Sequence, residues 1–409
     1  MPLPPPERAD RALWLRLALT PGVGAAACRR LLQQAGSPQA VLQSDDRQLG
    51  GQLSAAQLRA LRADDPLRER RVAIALRWAE ADDCHLLTLY DTGYPARLHE
   101  LADPPTVLFV RGKPALLTRP ALAIVGSRQA SVAGRQHAHR FAQALAGLGL
   151  TIVSGLAIGI DAAAHGGALG SAAGTVAVIG NGPDVVYPAR NRALAEAIAR
   201  QGALVSEFAP GEPPLPDHFP RRNRVIAALS LGVLVVEAAR RSGSLITARL
   251  AGELGGDVFA VPGSIDSPLS KGCHTLIGEG ARLVESVNDV LEGLAWGRAA
   301  WRPDGASGSS PVQSSSGPER SGRQPLAGPD RSVSGFPGSK PPDPAQPGTI
   351  LPGQALLDDL GWDPVALDEL AARSRLAPSE LSAGLLRLEL AGQVHRLSDG
   401  RLQRSRAPS

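Results

Sequence analysis

The stretch Phe219-Pro220-Arg221-Arg222-Asn223-Arg224 sets an aromatic ring, an amide and three guanidinium groups side by side, directly ahead of the strand-like run Leu231 to Glu237. A flat ring stacks on a nucleobase and fixed cations grip phosphate oxygens. In a chain with only 3% aromatic residues, that pairing beside a strand points to an unpaired polynucleotide, single-stranded DNA, as the ligand. The competing reading is a solvated arginine turn with a core-facing Phe.

Other turns carry related chemistry. In Gly126-Ser127-Arg128-Gln129-Ala130-Ser131, between a strand and a helix, Gly126 admits a ligand to the backbone. Ser127, Ser131 and the helix-start amides can donate to an anion, and Arg128 adds a forked, permanently charged donor. No G-x-G-x-x-G follows this strand, which disfavours a nicotinamide or flavin cofactor. Ser154-Gly155-Leu156-Ala157-Ile158-Gly159-Ile160-Asp161 then runs into a helix reaching His165. Asp161 and His165, four apart, form either an acid/base pair or a helix cap with a satisfied histidine. With no third partner or nucleophile visible, the structural role is expected. Arg190 and Arg192 at the next helix start extend the basic surface, against the plainer reading of solvated side chains. Ser242-Gly243-Ser244 after Val236-Glu237 forms another phosphate-friendly turn, and Glu237 is either a catalytic carboxylate or the partner of a neighbouring arginine.

What must position these turns is an alternation. Short β-branched runs at Thr106 to Val110, Leu122 to Val125, Thr151 to Val153, Thr175 to Ile179, Ala203 to Val205, Leu231 to Val236 and Val258 to Val261 are interleaved with helix candidates. The pattern predicts a Rossmann-like, doubly wound α/β fold with a mostly parallel sheet over residues 86–296, whose ligands bind beyond the carboxyl ends of the strands. Residues 1–85 read as a helical domain. Within it, Pro21-Gly22-Val23-Gly24 resembles a helix-hairpin-helix (SAM-like) turn, or else is a plain tight turn between packed helices. Residues 297–349, rich in Pro, Gly and Ser, read as a disordered linker. Residues 350–409 read as three helices and a hairpin, the order of a winged helix. Its presumed recognition helix, Ser379 to Leu390, sets Arg387 against Glu380 and Glu389, so protein contact fits it as well as DNA contact.

Bulk properties bound the rest. At 409 residues several domains are expected, and 43% hydrophobic with 20% charged residues fits a globular protein. A net charge of +4 tolerates a polyanionic partner without demanding one, so local clustering at Arg221, Arg222, Arg224, Arg240, Arg241 and Arg249 matters more. Only three of the 43 basic residues are Lys, a bias that can lie in the genome, so no Arg is read as chosen over Lys. Cys28, Cys84 and Cys273 are too scattered for a disulfide framework or zinc site and are expected to be buried. No run approaches the roughly 20 apolar residues of a membrane span, and the N-terminus lacks a secretory pattern, so a cytoplasmic location is expected.

Six ordered motifs, Val125-Gly126-Ser127-Arg128, Ser154-Gly155-x-Ala157-x-Gly159-Ile160-Asp161-x-x-Ala164-His165, Phe219-Pro220-x-Arg222-Asn223-Arg224-x-Ile226, Val236-Glu237-Ala238, Ser242-Gly243-Ser244-Leu245-x-Thr247-Ala248 and Val261-Pro262-Gly263, resemble the DNA-processing protein A (Smf) family. The resemblance implies a non-catalytic bacterial protein with no cofactor and no metal. Such a protein binds single-stranded DNA, protects it during natural transformation, helps load the RecA recombinase, and forms a homodimer through its core. The family pocket carries over as Arg128 and Phe219, and lysines that some members place nearby have as stand-ins Arg190 or Arg192. The alternative is an enzyme that processes nucleoside phosphates in the same cleft with Glu237 or Asp161 as its carboxylate. A weaker third option is a winged-helix transcription regulator.

Overall fold

The computed structural model describes residues 5–294 and, further on, 352–360, 365–374, 376–391, 393–397 and 400–404. The expected linker, 297–349, lies outside the described residues.

Six helices come first: α1 Pro5–Ala18, α2 Ala25–Ala35, α3 Pro38–Gln43, α4 Asp46–Leu49, α5 Ala55–Arg62 and α6 Pro66–Trp78. Their starts are written locally. Ser37, Asp45, Ser54 and Asp65 each accept a backbone N–H of the following helix, satisfying donors that the first turn leaves open. These helices share one apolar core with a face of the sheet that follows, as where Trp78 meets Phe109 edge-on at 5.8 Å.

That sheet has nine strands: β1 Cys84–Thr88, β2 Val107–Gly112, β3 Ala121–Val125, β4 Thr151–Ser154, β5 Thr175–Ile179, β6 Ala203–Ser206, β7 Gly232–Val235, β8 Asp257–Ala260 and β9 Arg282–Leu283. Their order is β1-β2-β6-β5-β4-β3-β7-β8-β9. From β6 to β9 the neighbours are parallel, while β1–β2 and β2–β6 are antiparallel. The interleaved helices are α7 Val132–Gly147, α8 Ile160–Ala168, α9 Arg192–Gln201, α10 His218–Leu229, α11 Gly243–Glu253, α12 Lys271–Gly278 and α13 Val287–Gly293. The chain winds from β3 through β4 and β5 to β6 on one side, then returns to lay β7 on the other flank of β3. Strand order therefore reverses between β3 and β7, and the crevice at their carboxyl ends is where such sheets bind ligands.

Two expectations need correction. The region taken as helical throughout ends in a strand, β1, whose five residues alternate buried and half-buried. The arginine cluster, where no helix was expected and a turn was the competing reading, is helical: Phe219 to Ile226 belong to α10. Pro220 falls in the first turn, where its missing N–H costs nothing. Every residue from Arg224 to Leu229 is buried, so the helix carries no amphipathic stripe to betray it. All three cysteines are buried and free, and burial pushes the thiols up, to about 11 for Cys28 and about 12 for Cys84 and Cys273.

The C-terminal unit comprises α14 Pro352–Leu360, α15 Leu367–Ser374, α16 Pro378–Leu390 and the antiparallel pair β10 Val394–Arg396 and β11 Leu402–Arg404. It closes a small apolar core of its own around Leu357, Leu370, Leu385 and Leu402, and is a winged helix.

Candidate nucleic-acid interface

Three loops crown the crevice and enclose a cleft of about 870 Å³. The loop after β3 is anchored from below. Ser127 N–H donates to the Glu237 carbonyl at 2.7 Å, and its hydroxyl accepts the Gln129 N–H at 3.1 Å. The Glu237 carboxylate, from the end of β7, accepts both the N–H (2.9 Å) and the hydroxyl (2.6 Å) of Ser131, the residue that caps α7. The α7 N-terminus expected to receive a ligand anion thus already holds a protein carboxylate.

The loop after β4 interlocks with the first. A Cβ at Gly159, whose φ is +86°, would run into the Ser127 and Arg128 carbonyls, and one at Gly155 would overlap the Arg222 guanidinium. Asp161 does not cap its own helix: its Oδ2 turns back to accept the N–H groups of Gly155 (3.1 Å) and Ala157 (3.4 Å). Burial pushes the Asp161 carboxyl up, opposed by Arg222 and by those two N–H groups. Burial likewise lowers Arg222, to about 10, which leaves it charged at neutral pH. His165 binds Thr175 and the Leu156 N–H, and burial drives it to about 3, so it is a neutral scaffold residue. Leu156, between these contacts, has φ +57°, a left-handed conformation costing a leucine about 1–3 kcal/mol.

The helix α10 sorts the arginine cluster by its period. Phe219, Arg222, Asn223 and Ile226, spaced three, four and seven apart, line the cleft. Half-buried Phe219 meets Arg128, whose Cζ is 5.6 Å from the ring centroid, and Tyr187, centroid to centroid 5.6 Å at 41°. Arg222 Nη1 donates to the Val178 carbonyl at 2.6 Å. The loop before α11 adds Ser242, Gly243 and Ser244, with the two hydroxyls 2.7 Å apart, and Asn223 donates to the Gly243 carbonyl at 3.4 Å.

Of the residues picked from sequence, Gly126, Ser127, Arg128, Gly155, Phe219, Arg222, Asn223, Ser242, Gly243 and Ser244 border this cleft or its inner recess. Four do not. Fully buried Ser154 donates to the Ile124 carbonyl. Arg224 is buried on the far face, paired with Glu207 at 2.6 Å and Asp103 at 3.2 Å. Arg221 shares Glu207 at 2.8 Å and stacks over Phe208. Arg190 is exposed in the short 3₁₀ turn Ala189–Asn191, outside the lining. Sequence reasoning passed over Tyr187 and Ile246, which face the cleft, and named Arg241 only as part of a cluster. A tyrosine beside a proline in a post-strand turn, in a chain with three tyrosines, was the available signal.

Known proteins share this plan. Residues 85–295 match the family model described as DNA recombination-mediator protein A, 340–400 a DprA winged helix domain and 8–44 a DprA-like N-terminal HHH domain. Protein Smf of Escherichia coli is 40% identical over 339 residues, 83% of this chain and 82% of that protein. DNA processing protein DprA of Streptococcus pneumoniae is 49% identical over 224 residues, 53% of this chain and 79% of its own. The crystal structure of the Streptococcus pneumoniae protein superposes with a TM-score of 0.56 at 38% identity, covering 72% of this chain and 99% of the solved one.

Proposed function

Because the chain belongs to the DNA-processing protein A family, we propose that it is a non-catalytic mediator of DNA recombination that binds single-stranded DNA in the cleft crowning β3, β4 and β7. The carrying observation is that the Arg128 guanidinium and the Tyr187 ring both meet Phe219 in the lining of a glycine-bearing crevice. Aromatic and guanidinium planes stack on any base, and the guanidinium groups of Arg128 and Arg241 in the lining would meet phosphates without reading sequence, while Arg222 is buried and bound to the Val178 carbonyl. The carboxylates that an enzyme would need are spent on the scaffold, Glu237 on Ser131 and Asp161 on the Gly155 and Ala157 amides. In the full reading the protein shields incoming strands in the cytoplasm during natural transformation and assists RecA loading. It does so as a homodimer through the core, for which the sheet edge at β9, with Leu283 exposed, offers room.

The test is fluorescence anisotropy with a labelled oligo-dT strand. Arg128→Ala should weaken binding by about 1–3 kcal/mol at matched salt, the range for a lost charge-assisted contact or base stack. Unchanged affinity would remove the cleft from the reading, and duplex bound as tightly as single strand would remove the ligand.

A further inference from the structure

Behind the cleft, buried side chains take the N–H groups of three successive residues. Asp161 accepts those of Gly155 and Ala157, and His165 accepts the one between them, from Leu156, at 3.3 Å. The tautomer that permits this follows from the next bonds. The Thr175 hydroxyl has one proton and gives it to the Ile152 carbonyl at 2.7 Å, so it accepts from His165 Nδ1 at 2.7 Å. Nδ1 therefore bears the imidazole hydrogen, and Nε2 offers a lone pair to Leu156. A histidine driven to about 3 keeps that lone pair across the physiological range.

The other side of Leu156 is held as firmly. Its carbonyl accepts from Asn191 Nδ2 at 2.8 Å, and its side chain is buried with Ala177, Ile179 and Ile198. Among the described residues Leu156 is the one non-glycine with a positive φ, and it is pinned at amide, carbonyl and side chain. What flanks these pins gives them a use. Ala157 and Ile158, which follow Leu156, line the inner recess, and so do Tyr187 and Pro188, in the segment that leads to Asn191. The Asn191–Leu156 bond ties these two segments together. The recess measures about 90 Å³, with Gly155, Arg128, Phe219 and Arg222 completing it, so a shift of either segment changes what a ring can enter.

We propose that His165 and Asn191 are positioning residues of the DNA cleft: they hold Leu156 in its left-handed conformation and so set where the Ala157–Ile158 segment lies relative to the Tyr187–Pro188 segment in the recess lining. The inference rests on the cleft being the single-strand site, and the experiment separates the two. Oligo-dT affinity and thermal midpoint are measured for the native protein, Arg128→Ala, His165→Leu, His165→Gln and Asn191→Ala. His165→Leu removes the acceptor and should weaken binding about 10-fold in protein that is still folded. His165→Gln, which can present an oxygen where Nε2 stands, should restore affinity to within about 3-fold. In a Phe219→Ala background, His165→Leu should cost less than about 2-fold more, because both act through the same recess. Native-like binding by folded His165→Leu, failure of the glutamine rescue, or losses that simply add to those of Phe219→Ala would overturn the proposal. If His165→Leu does not fold, Asn191→Ala carries the same expected loss and native affinity in it overturns the idea. A native protein that ignores oligo-dT overturns the site itself, and with it this inference. Loss in Arg128→Ala without loss in the His165 and Asn191 variants overturns the positioning role alone.

Discussion

On one face of α10, Phe219 and Arg222 border a cleft. On the other, Arg221 and Arg224 converge on the Glu207 carboxylate, whose side chain is only 6% exposed. The far face looks onto a second cleft, of about 350 Å³, formed under the Pro21 to Gly24 turn and holding Glu207, Glu212, Arg71 and Arg221. There the arginines meet carboxylates, with Arg71 bound to Glu212, and their charge is already balanced before any phosphate arrives. At the crowned cleft the guanidinium of Arg128 lies over an aromatic ring instead. Identical side chains one or two positions apart thus hold chain segments together in one case and line the candidate site in the other. Which role applies is decided by where acidic residues distant in sequence arrive.

The contrast breaks first at Glu207. Glu207→Ala leaves two guanidinium groups without their shared anion, one of them buried, and should cost about 3–5 kcal/mol of stability. Urea denaturation measures the loss, and the folded fraction should bind oligo-dT as the native protein does. A smaller effect separates the faces by pH. Folded His165 takes its proton only near pH 3, whereas in the unfolded chain it does so near 6.5. Between those values the unfolded state binds more protons, so this contribution is complete above pH 6.5 and shrinks as pH falls. The loss is about 1.4 kcal/mol per unit. Between pH 6.5 and 5.5, where the unfolded histidine is still filling, denaturation should show a loss of about 1 kcal/mol, reduced in His165→Gln. The smallest effect is Arg221→Ala: a half-exposed partner of Glu207 outside the crowned cleft should change oligo-dT affinity by less than about 0.5 kcal/mol. A loss matching that of Arg128→Ala would erase the distinction between the faces.

Much of this was legible from sequence, for physical reasons. Strands β3 to β8 are short apolar runs because helices cover both sheet faces, so Ala121 to Val125 reads as a strand with every side chain buried. The glycine-bearing turns announce themselves because no other residue fits beside Arg222 or the Ser127 carbonyl. The helix α10 was hidden because burial on all sides erases the period, and because Pro220 resembles a break. The duty of Glu237 was out of reach: its partner Ser131 is 106 residues away, and nothing local records that meeting. Arg221 and Arg224 misled for the same reason, since Glu207 and Asp103 come from elsewhere in the chain.

The carboxylate seated at the start of α7 has a last consequence. With that electropositive helix end already neutralised, and with buried Arg222 already facing Asp161 and the Val178 carbonyl, the positive charge that the cleft lining has to offer an anion rests on Arg128 and Arg241. Each phosphate neutralised on a single strand releases about 0.7 counterion, so on the proposed reading one copy would displace about one to two. A long polymer would then be held by many weak grips in succession, each of them loosened by salt.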